Sequence, residues 1–121
     1  RMRTAITKIV SFDAAHRLPD HAGRCRNLHG HTYRLEATVA GAPQETGPGT
    51  GMVLDFAELE QTLQRVVVNR LDHTYLNDVL DVVPTAEGIA AWAFAELKAS
   101  GLEVRKVRLW ESPTSFAEVE D

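Results

Sequence analysis

Residues 29–39 read HGHTYRLEATV, and this stretch decides the fold because it holds the clearest alternation in the chain. Apolar side chains and both histidines share one parity, while polar side chains share the other. This period of two predicts a strand with one buried face. The buried parity holds His29, His31, Tyr33, Leu35, Ala37 and Val39. Both imidazoles therefore leave the strand on its buried side.

A third histidine lies at the end of another alternating segment. In the segment Thr4–His16, apolar side chains occupy the alternate positions that lie on the same strand face as His16. His16 is therefore also predicted to face inward. Burying imidazoles costs free energy unless each has a partner, and one metal ion supplies a partner for all three. Three protein ligands with a fourth position open are typical of catalytic zinc. We predict Zn²⁺ held by His16, His29 and His31, since three imidazoles suit zinc and no redox chemistry is implied.

The single cysteine, Cys25, lies between Arg24 and Arg26 in a polar stretch that predicts a loop. A divalent cation and arginines nearby would lower the pKa of the thiol and favour a reactive thiolate, which could act as base or nucleophile. The alternative is a fourth ligand that closes a structural zinc site. A small buried apolar side chain is a third interpretation, which the polar neighbours disfavour.

The remaining pattern predicts two helices and further strands. Asp55 is a predicted N-cap of a helix that runs to about Arg70, and Thr85 caps a second helix that Gly101 ends. Residues 71–83 are predicted to be irregular. Short strands are predicted at residues 52–54, 103–111 and 116–119. This order predicts an α+β fold, an antiparallel sheet with two helices on one face, in a single domain over residues 1–121.

The composition suits an ordinary globular domain. The chain is 44% hydrophobic and 25% charged, with a formal net charge of −4 and one cysteine. An acidic balance disfavours nucleic acid and anionic membranes as partners. Neither a membrane-spanning run nor a secretory signal pattern is visible, and one cysteine forms no internal disulfide, so a cytoplasmic protein is expected.

Two further carboxylates are candidates for chemistry. Asp72 precedes His73, and such a pair can fix the tautomer and charge of the imidazole, although an ordinary surface turn explains it equally well. Glu111 shares the parity of Val107 and Leu109, which predicts that it points inward rather than turning to solvent at the strand end. An inward carboxylate can accept two parallel N–H bonds from an amino-pyrimidinone edge.

Six segments in this order resemble one known family. They are FDAAHRL at 12–18, CRNLHGH at 25–31, GMVLDF at 51–56, LDHTYLN at 71–77, PTAE at 84–87 and the late Glu111. The chain resembles the 6-pyruvoyl-tetrahydropterin synthase / 6-carboxytetrahydropterin synthase family over nearly its whole length. The residue pair Ser112-Pro113 departs from the family, whose members more often continue with threonine after the glutamate.

The resemblance implies a tunnelling fold, in which a four-stranded antiparallel sheet carries two helices on one face. Sheets would join edge to edge into barrels in a homo-oligomer, a hexamer of two trimers with active sites at subunit interfaces. It also implies zinc on the three histidines, Cys25 as the catalytic thiol, and Asp72 and His73 as proton-relay partners from a neighbouring subunit. Glu111 would anchor the pterin ring, with Thr85 and Glu87 in the same pocket. Arg17, adjacent to the histidine cluster in sequence, is a candidate for binding the triphosphate.

The implied substrate is 7,8-dihydroneopterin triphosphate, and two product branches exist. One yields 6-carboxy-5,6,7,8-tetrahydropterin, acetaldehyde and triphosphate, on the way to 7-deazaguanine and queuosine. The other eliminates triphosphate and gives the 6-pyruvoyl product. Three residues separate Cys25 from His29, a short spacing that resembles the carboxy branch. A non-catalytic zinc- or pterin-binding protein is the remaining alternative.

Overall fold

The computed structural model describes residues 2–121 and contains a five-stranded mixed sheet in the order β3-β1-β2-β4-β5. The strands are β1 Thr4–His16, β2 His29–Gly41, β3 Thr74–Tyr75, β4 Val104–Ser112 and β5 Ser115–Glu120. Helix α1 Phe56–Leu63 continues through a π-helical turn, Gln64–Val68, into α2 Asn69–Leu71. A short helix α3 spans Leu76–Val79, and α4 spans Ala86–Ala99. Within residues 2–121 every helix is too short or too polar to cross a membrane.

Strands β1 and β2 form the long antiparallel pair that carries the histidines. Phe12 lies opposite Tyr33, and His16 lies opposite His29 at the end of the ladder. The predicted alternation is confirmed, since Phe12, Tyr33 and Leu35 are buried whereas Asp13, Thr32 and Arg34 are exposed. The inward-facing positions of β1 and β2 therefore run directly from the apolar core to the three histidines.

The main helices cover the apolar face of the sheet. Leu59 and Leu63 of the first helix and Ile89 and Ala93 of α4 belong to the same buried cluster as the inward strand residues. Both predicted N-caps are confirmed: the Asp55 carboxylate accepts from the backbone N–H of Ala57, and the Thr85 hydroxyl from that of Gly88. The predicted α+β layering, with two long helices packed on one sheet, is confirmed.

The prediction of four antiparallel strands is wrong. Residues 71–83, predicted to be irregular, contain the short third helix α3 as well as β3, which pairs in parallel with Ala14 and Ala15 of β1. The backbone N–H of His73 donates to the Asp13 carbonyl at 2.6 Å, just before this strand begins. A strand of two residues shows no alternation, so its sequence gives no sign of it.

The short strand predicted at residues 52–54 is also wrong. The backbone of this segment is anchored to Gln44, which forms one isolated bridge with Thr50 and donates its N–H to the Met52 carbonyl. The side chains of Val53 and Leu54 pack against the core from a bend. Burial of these two residues, rather than strand pairing, accounts for their apolar character.

Candidate active site

The three predicted metal ligands converge where β1 ends and β2 begins. One ring nitrogen from each of His16, His29 and His31 lies within 4.8 Å of the other two. The rings stand edge to face, with centroids 4.6 to 5.1 Å apart. His16 is fully buried, and the other two are partly buried. The cluster follows from strand register, because His16 and His29 are cross-strand partners and His31 shares their face.

The hydrogen bonds of His16 and His29 fix their tautomers. Nδ1 of His16 lies 2.7 Å from the Pro84 carbonyl, and Nδ1 of His29 lies 2.7 Å from the Asn27 carbonyl. A carbonyl only accepts, so both Nδ1 atoms donate, and each neutral ring keeps its lone pair on Nε2. These two Nε2 atoms face one another at 2.9 Å. Two lone pairs at this distance repel unless a cation lies between them.

The third imidazole also lacks a partner. Nε2 of His31 is buried without a hydrogen bond from any residue between 2 and 121, and Glu111 Oε1 is 3.6 Å away. Burial lowers the pKa of His31 most strongly; His16 and His29 lower it further, and the Glu111 carboxylate opposes them. A neutral imidazole is the form that binds metal. The donor set therefore fits a zinc ion with three nitrogen ligands.

Cys25 lies outside this cluster, in the loop between β1 and β2. The residue belongs to a helical turn, Arg24–Arg26, and its carbonyl accepts from the backbone N–H of Leu18 at 2.7 Å. This bond folds the loop back onto the end of β1, two residues after His16. The thiol is partly buried, and its sulfur is not a member of the group of donor atoms within 4.8 Å of one another.

Asp72 and His73 form a second, separate cluster. One Asp72 oxygen accepts from the backbone N–H of Asp13 at 2.9 Å, and the other lies 2.9 Å from Nδ1 of His73. The backbone N–H of Asp13, and then His73, lower the pKa of Asp72. His73 adopts a φ of 58°, which is uncommon for a residue other than glycine, and its side chain is 80% exposed. Asp72 is thus fixed against β1 by its hydrogen bond to Asp13, and the His73 imidazole faces solvent.

Asp13 is a member of this second cluster that the sequence interpretation missed. Its carboxylate lies within 4.8 Å of the donor atoms of Asp72 and His73, and it accepts from the Thr32 hydroxyl at 2.6 Å. Asp13 is on the exposed parity of β1, whereas His16 is on the buried parity. The alternation of FDAAH predicts that outward position, but the contact with Asp72 joins residues 59 positions apart.

Glu111 points inward, as its parity predicted. Its side chain is 28% exposed and reaches toward His31. Tyr33 is a second residue here that the sequence interpretation did not single out as functional. It is fully buried, and its ring lies edge-on to His31 with centroids 5.4 Å apart. Burial, and then the charge of Glu111, raise the pKa of Tyr33 strongly, so the hydroxyl keeps its proton.

The remaining predicted site residues are Thr85, Glu87 and Arg17. Thr85 caps α4 directly after Pro84, whose carbonyl holds His16. Glu87 is exposed in the first turn of that helix. Arg17 is anchored through its backbone to the Asn77 side chain, and its Nε donates to the Arg26 carbonyl at 3.3 Å. Thr85 thus lies near the histidines because it directly follows Pro84, which bonds to His16. Arg17 lies near them because it directly follows His16 in the chain.

An α+β domain that gathers three imidazoles and an inward carboxylate at one end of its sheet has the parts of a metal-dependent enzyme. The family model described as 6-pyruvoyl tetrahydropterin synthase matches residues 5–121. The chain therefore belongs to this family. The resemblance inferred from the motifs is confirmed.

Two relatives are named 6-carboxy-5,6,7,8-tetrahydropterin synthase. The protein of Synechocystis sp. is 49% identical and covers 93% of this chain and 89% of its own length; that of Haemophilus influenzae is 36% identical, with 96% and 98% covered. A Pyrococcus furiosus protein named dihydroneopterin monophosphate aldolase is 34% identical, with 98% and 99% covered. The prediction of an enzyme, a lyase of the pterin synthase family, is confirmed.

A solved structure supports the same fold. The Caenorhabditis elegans 6-pyruvoyl tetrahydropterin synthase superposes with a TM-score of 0.85 at 27% identity, covering 99% of this chain and 96% of that one. The Plasmodium falciparum enzyme of the same name has a TM-score of 0.77 at 20% identity and covers 100% and 99%, which is similarity of fold alone.

Proposed function

We propose that this chain is a zinc-dependent lyase that converts 7,8-dihydroneopterin triphosphate and water to 6-carboxy-5,6,7,8-tetrahydropterin, acetaldehyde and triphosphate. The names of the relatives with 49% and 36% identity support the carboxy branch. The short spacing between Cys25 and His29 supports it as well. We place the reaction in 7-deazaguanine and queuosine biosynthesis.

The observation that carries the proposal is a set of three converging imidazole nitrogens, next to an inward carboxylate, that no donor outside the cluster satisfies among residues 2–121. Nε2 of His16 and His29 face one another at 2.9 Å, and Glu111 lies 3.6 Å from Nε2 of His31. One cation satisfies the three nitrogens, while the carboxylate remains available for a ligand. Zinc bound there would polarise hydroxyl oxygens of the substrate side chain and acidify the adjacent C–H groups.

In this proposal the other residues bind the substrate and transfer protons. Glu111 accepts two N–H bonds from the amino-pyrimidinone edge, so pterins are bound in preference to heterocycles that lack those donors. We assign Thr85 and Glu87 to the same pocket on the family resemblance of the PTAE segment. The exposed guanidinium of Arg17 binds the triphosphate. The thiolate of Cys25 removes a proton from the side chain, and His73, oriented by Asp72, returns one.

The proton relay requires a second chain in this proposal. The exposed imidazole of His73 lies in a cluster separate from the three histidines of its own chain. In a homo-hexamer built from two trimers, a neighbouring subunit would present Asp72 and His73 to the site that contains Cys25. Barrel formation between sheets would also cover the edges of β3 and β5.

The pyruvoyl branch is the second candidate. It is favoured by the structural similarity to the Caenorhabditis elegans enzyme, at a TM-score of 0.85. Both branches use the same substrate, so the product distinguishes them. A closed, non-catalytic zinc site with Cys25 as the fourth ligand would yield neither product.

The test is to incubate the zinc-loaded protein with 7,8-dihydroneopterin triphosphate and to identify products by mass. The proposal predicts the carboxylated pterin together with acetaldehyde. The pyruvoyl product without acetaldehyde would assign the chain to the other branch, and unchanged substrate would contradict both. Dihydroneopterin monophosphate serves as a comparison substrate, because one relative is named for it.

A further inference from the structure

The Tyr33 hydroxyl is a buried polar group without a partner. The residue has no exposed surface, and none of the described residues offers its hydroxyl a hydrogen bond. The ring is fixed by stacking on Phe12, with centroids 5.1 Å apart and 16° between the planes. Burying a hydroxyl without a hydrogen bond is unfavourable, so its presence calls for an explanation.

The position of Tyr33 indicates which group it serves. Strands β2 and β4 are antiparallel, and Arg34 lies opposite Trp110. Continued by one residue, this register sets Tyr33 beside Glu111 on the inward side, and the charge of Glu111 acts on the Tyr33 hydroxyl. Opposed side chains in such a pair have Cβ atoms about 4.5–5.5 Å apart.

Glu111 has another polar neighbour in the structure described here. Its Oε1 lies 3.6 Å from Nε2 of His31, which precedes Tyr33 by two residues on β2. Among residues 2–121, that nitrogen has no other partner. When a cation occupies this nitrogen, His31 holds no proton there that the Glu111 carboxylate could accept. The carboxylate is then free to turn toward its direct neighbour.

We propose that Tyr33 is a positioning residue, whose hydroxyl donates to the Glu111 carboxylate once His31 binds metal and thereby orients that carboxylate toward the pterin edge. A carboxylate has about four acceptor positions, so it accepts from the phenol and from two ligand N–H groups together. This inference rests on the proposed function, because it gives Glu111 the pterin as its ligand.

The test is a double-mutant cycle on zinc-loaded protein, with neopterin as the probe and its dissociation constant as the readout. Tyr33→Phe removes only the hydroxyl and is expected to weaken neopterin binding roughly tenfold, as for a hydrogen bond to a charged group. Glu111→Gln is expected to weaken it more. The double variant should bind no more weakly than Glu111→Gln alone, because the phenol acts through the carboxylate.

Controls separate this role from a purely structural one. Tyr75→Phe removes the other phenolic hydroxyl and should leave binding unchanged. Metal-free Tyr33→Phe should be at least as heat-stable as the wild type, since it loses an unpartnered group; a loss of stability would overturn the inference. Wild-type affinity in Tyr33→Phe, or losses that multiply in the double variant, would also overturn it. Wild-type affinity in Glu111→Gln would refute the proposed pterin site itself.

Discussion

Cys25 is the residue at which a catalytic and a structural zinc site differ. Its sulfur lies outside the group of three histidine nitrogens. We expect Cys25→Ala to retain one zinc per chain and to lose at least about a hundredfold in turnover, as for removal of a catalytic base. Zinc content by mass spectrometry and acetaldehyde release are the measurements. Loss of zinc together with folding would show that the thiol is a structural ligand.

Asp72 should make the free energy of unfolding depend on pH in the acid range. The Asp13 backbone N–H and His73 lower its pKa below the ordinary value of 3.8, so the unfolded chain takes up this proton first as pH falls. The contribution of Asp72 to stability is therefore complete above pH 3.8 and is lost as pH falls through the lowered folded pKa. Asp72→Asn should remove this part of the acid transition.

The measurement for Asp72 is acid unfolding followed by circular dichroism. Asp78→Asn, which changes an exposed aspartate on α3, is the matched control and should keep the wild-type acid profile. An identical acid profile for Asp72→Asn and the wild type would contradict the prediction. Turnover of Asp72→Asn should also fall, because His73 loses the group that fixes its orientation.

At the scale of elements, the chain at the start of α4 holds His16 in place. A Cβ added at Gly88 would lie 2.1 Å from the Val83 carbonyl oxygen, and the Pro84 carbonyl that follows holds His16. Replacing a helical glycine by alanine ordinarily gains up to about 1 kcal/mol. Here we expect Gly88→Ala to lower the free energy of unfolding by more than about 2 kcal/mol and to weaken zinc binding.

Urea denaturation and zinc titration of the same samples measure both effects of Gly88→Ala. Ala95→Gly, at an exposed position of the same helix, is the control and should cost only about 1 kcal/mol without any change in zinc affinity. A Gly88→Ala protein as stable as the wild type would show that the turn before α4 is free to move.

The elements differ in how far the sequence predicts them. The long hairpin and both main helices follow from period, parity and caps, which are local signals, and the cluster of three histidines follows from register. Strand β3 does not, because it forms through a backbone bond from His73 to Asp13, distant in the chain. Tyr33 was predicted only as a core residue, since nothing local distinguishes a buried hydroxyl without a partner from an apolar side chain.

At the scale of the whole molecule, the proposed active site depends on the assembly of several chains. The barrel and the hexamer remain predictions, because sequence patterns report burial within a chain and not which surface meets a second copy. Six chains of 13.4 kDa would have a mass of about 80 kDa. Light scattering after size exclusion should give that mass, and mixing Cys25→Ala with His73→Ala protein should restore part of the turnover. A fully active monomer would contradict the shared site.

The most direct test of the central claim is X-ray absorption at the zinc edge, recorded on the zinc-loaded protein with and without neopterin. The account predicts three imidazole nitrogens at about 2.0–2.1 Å, lighter atoms completing the shell, and no sulfur in either sample. A sulfur scatterer at about 2.3 Å in both samples would place Cys25 on the metal and contradict the account.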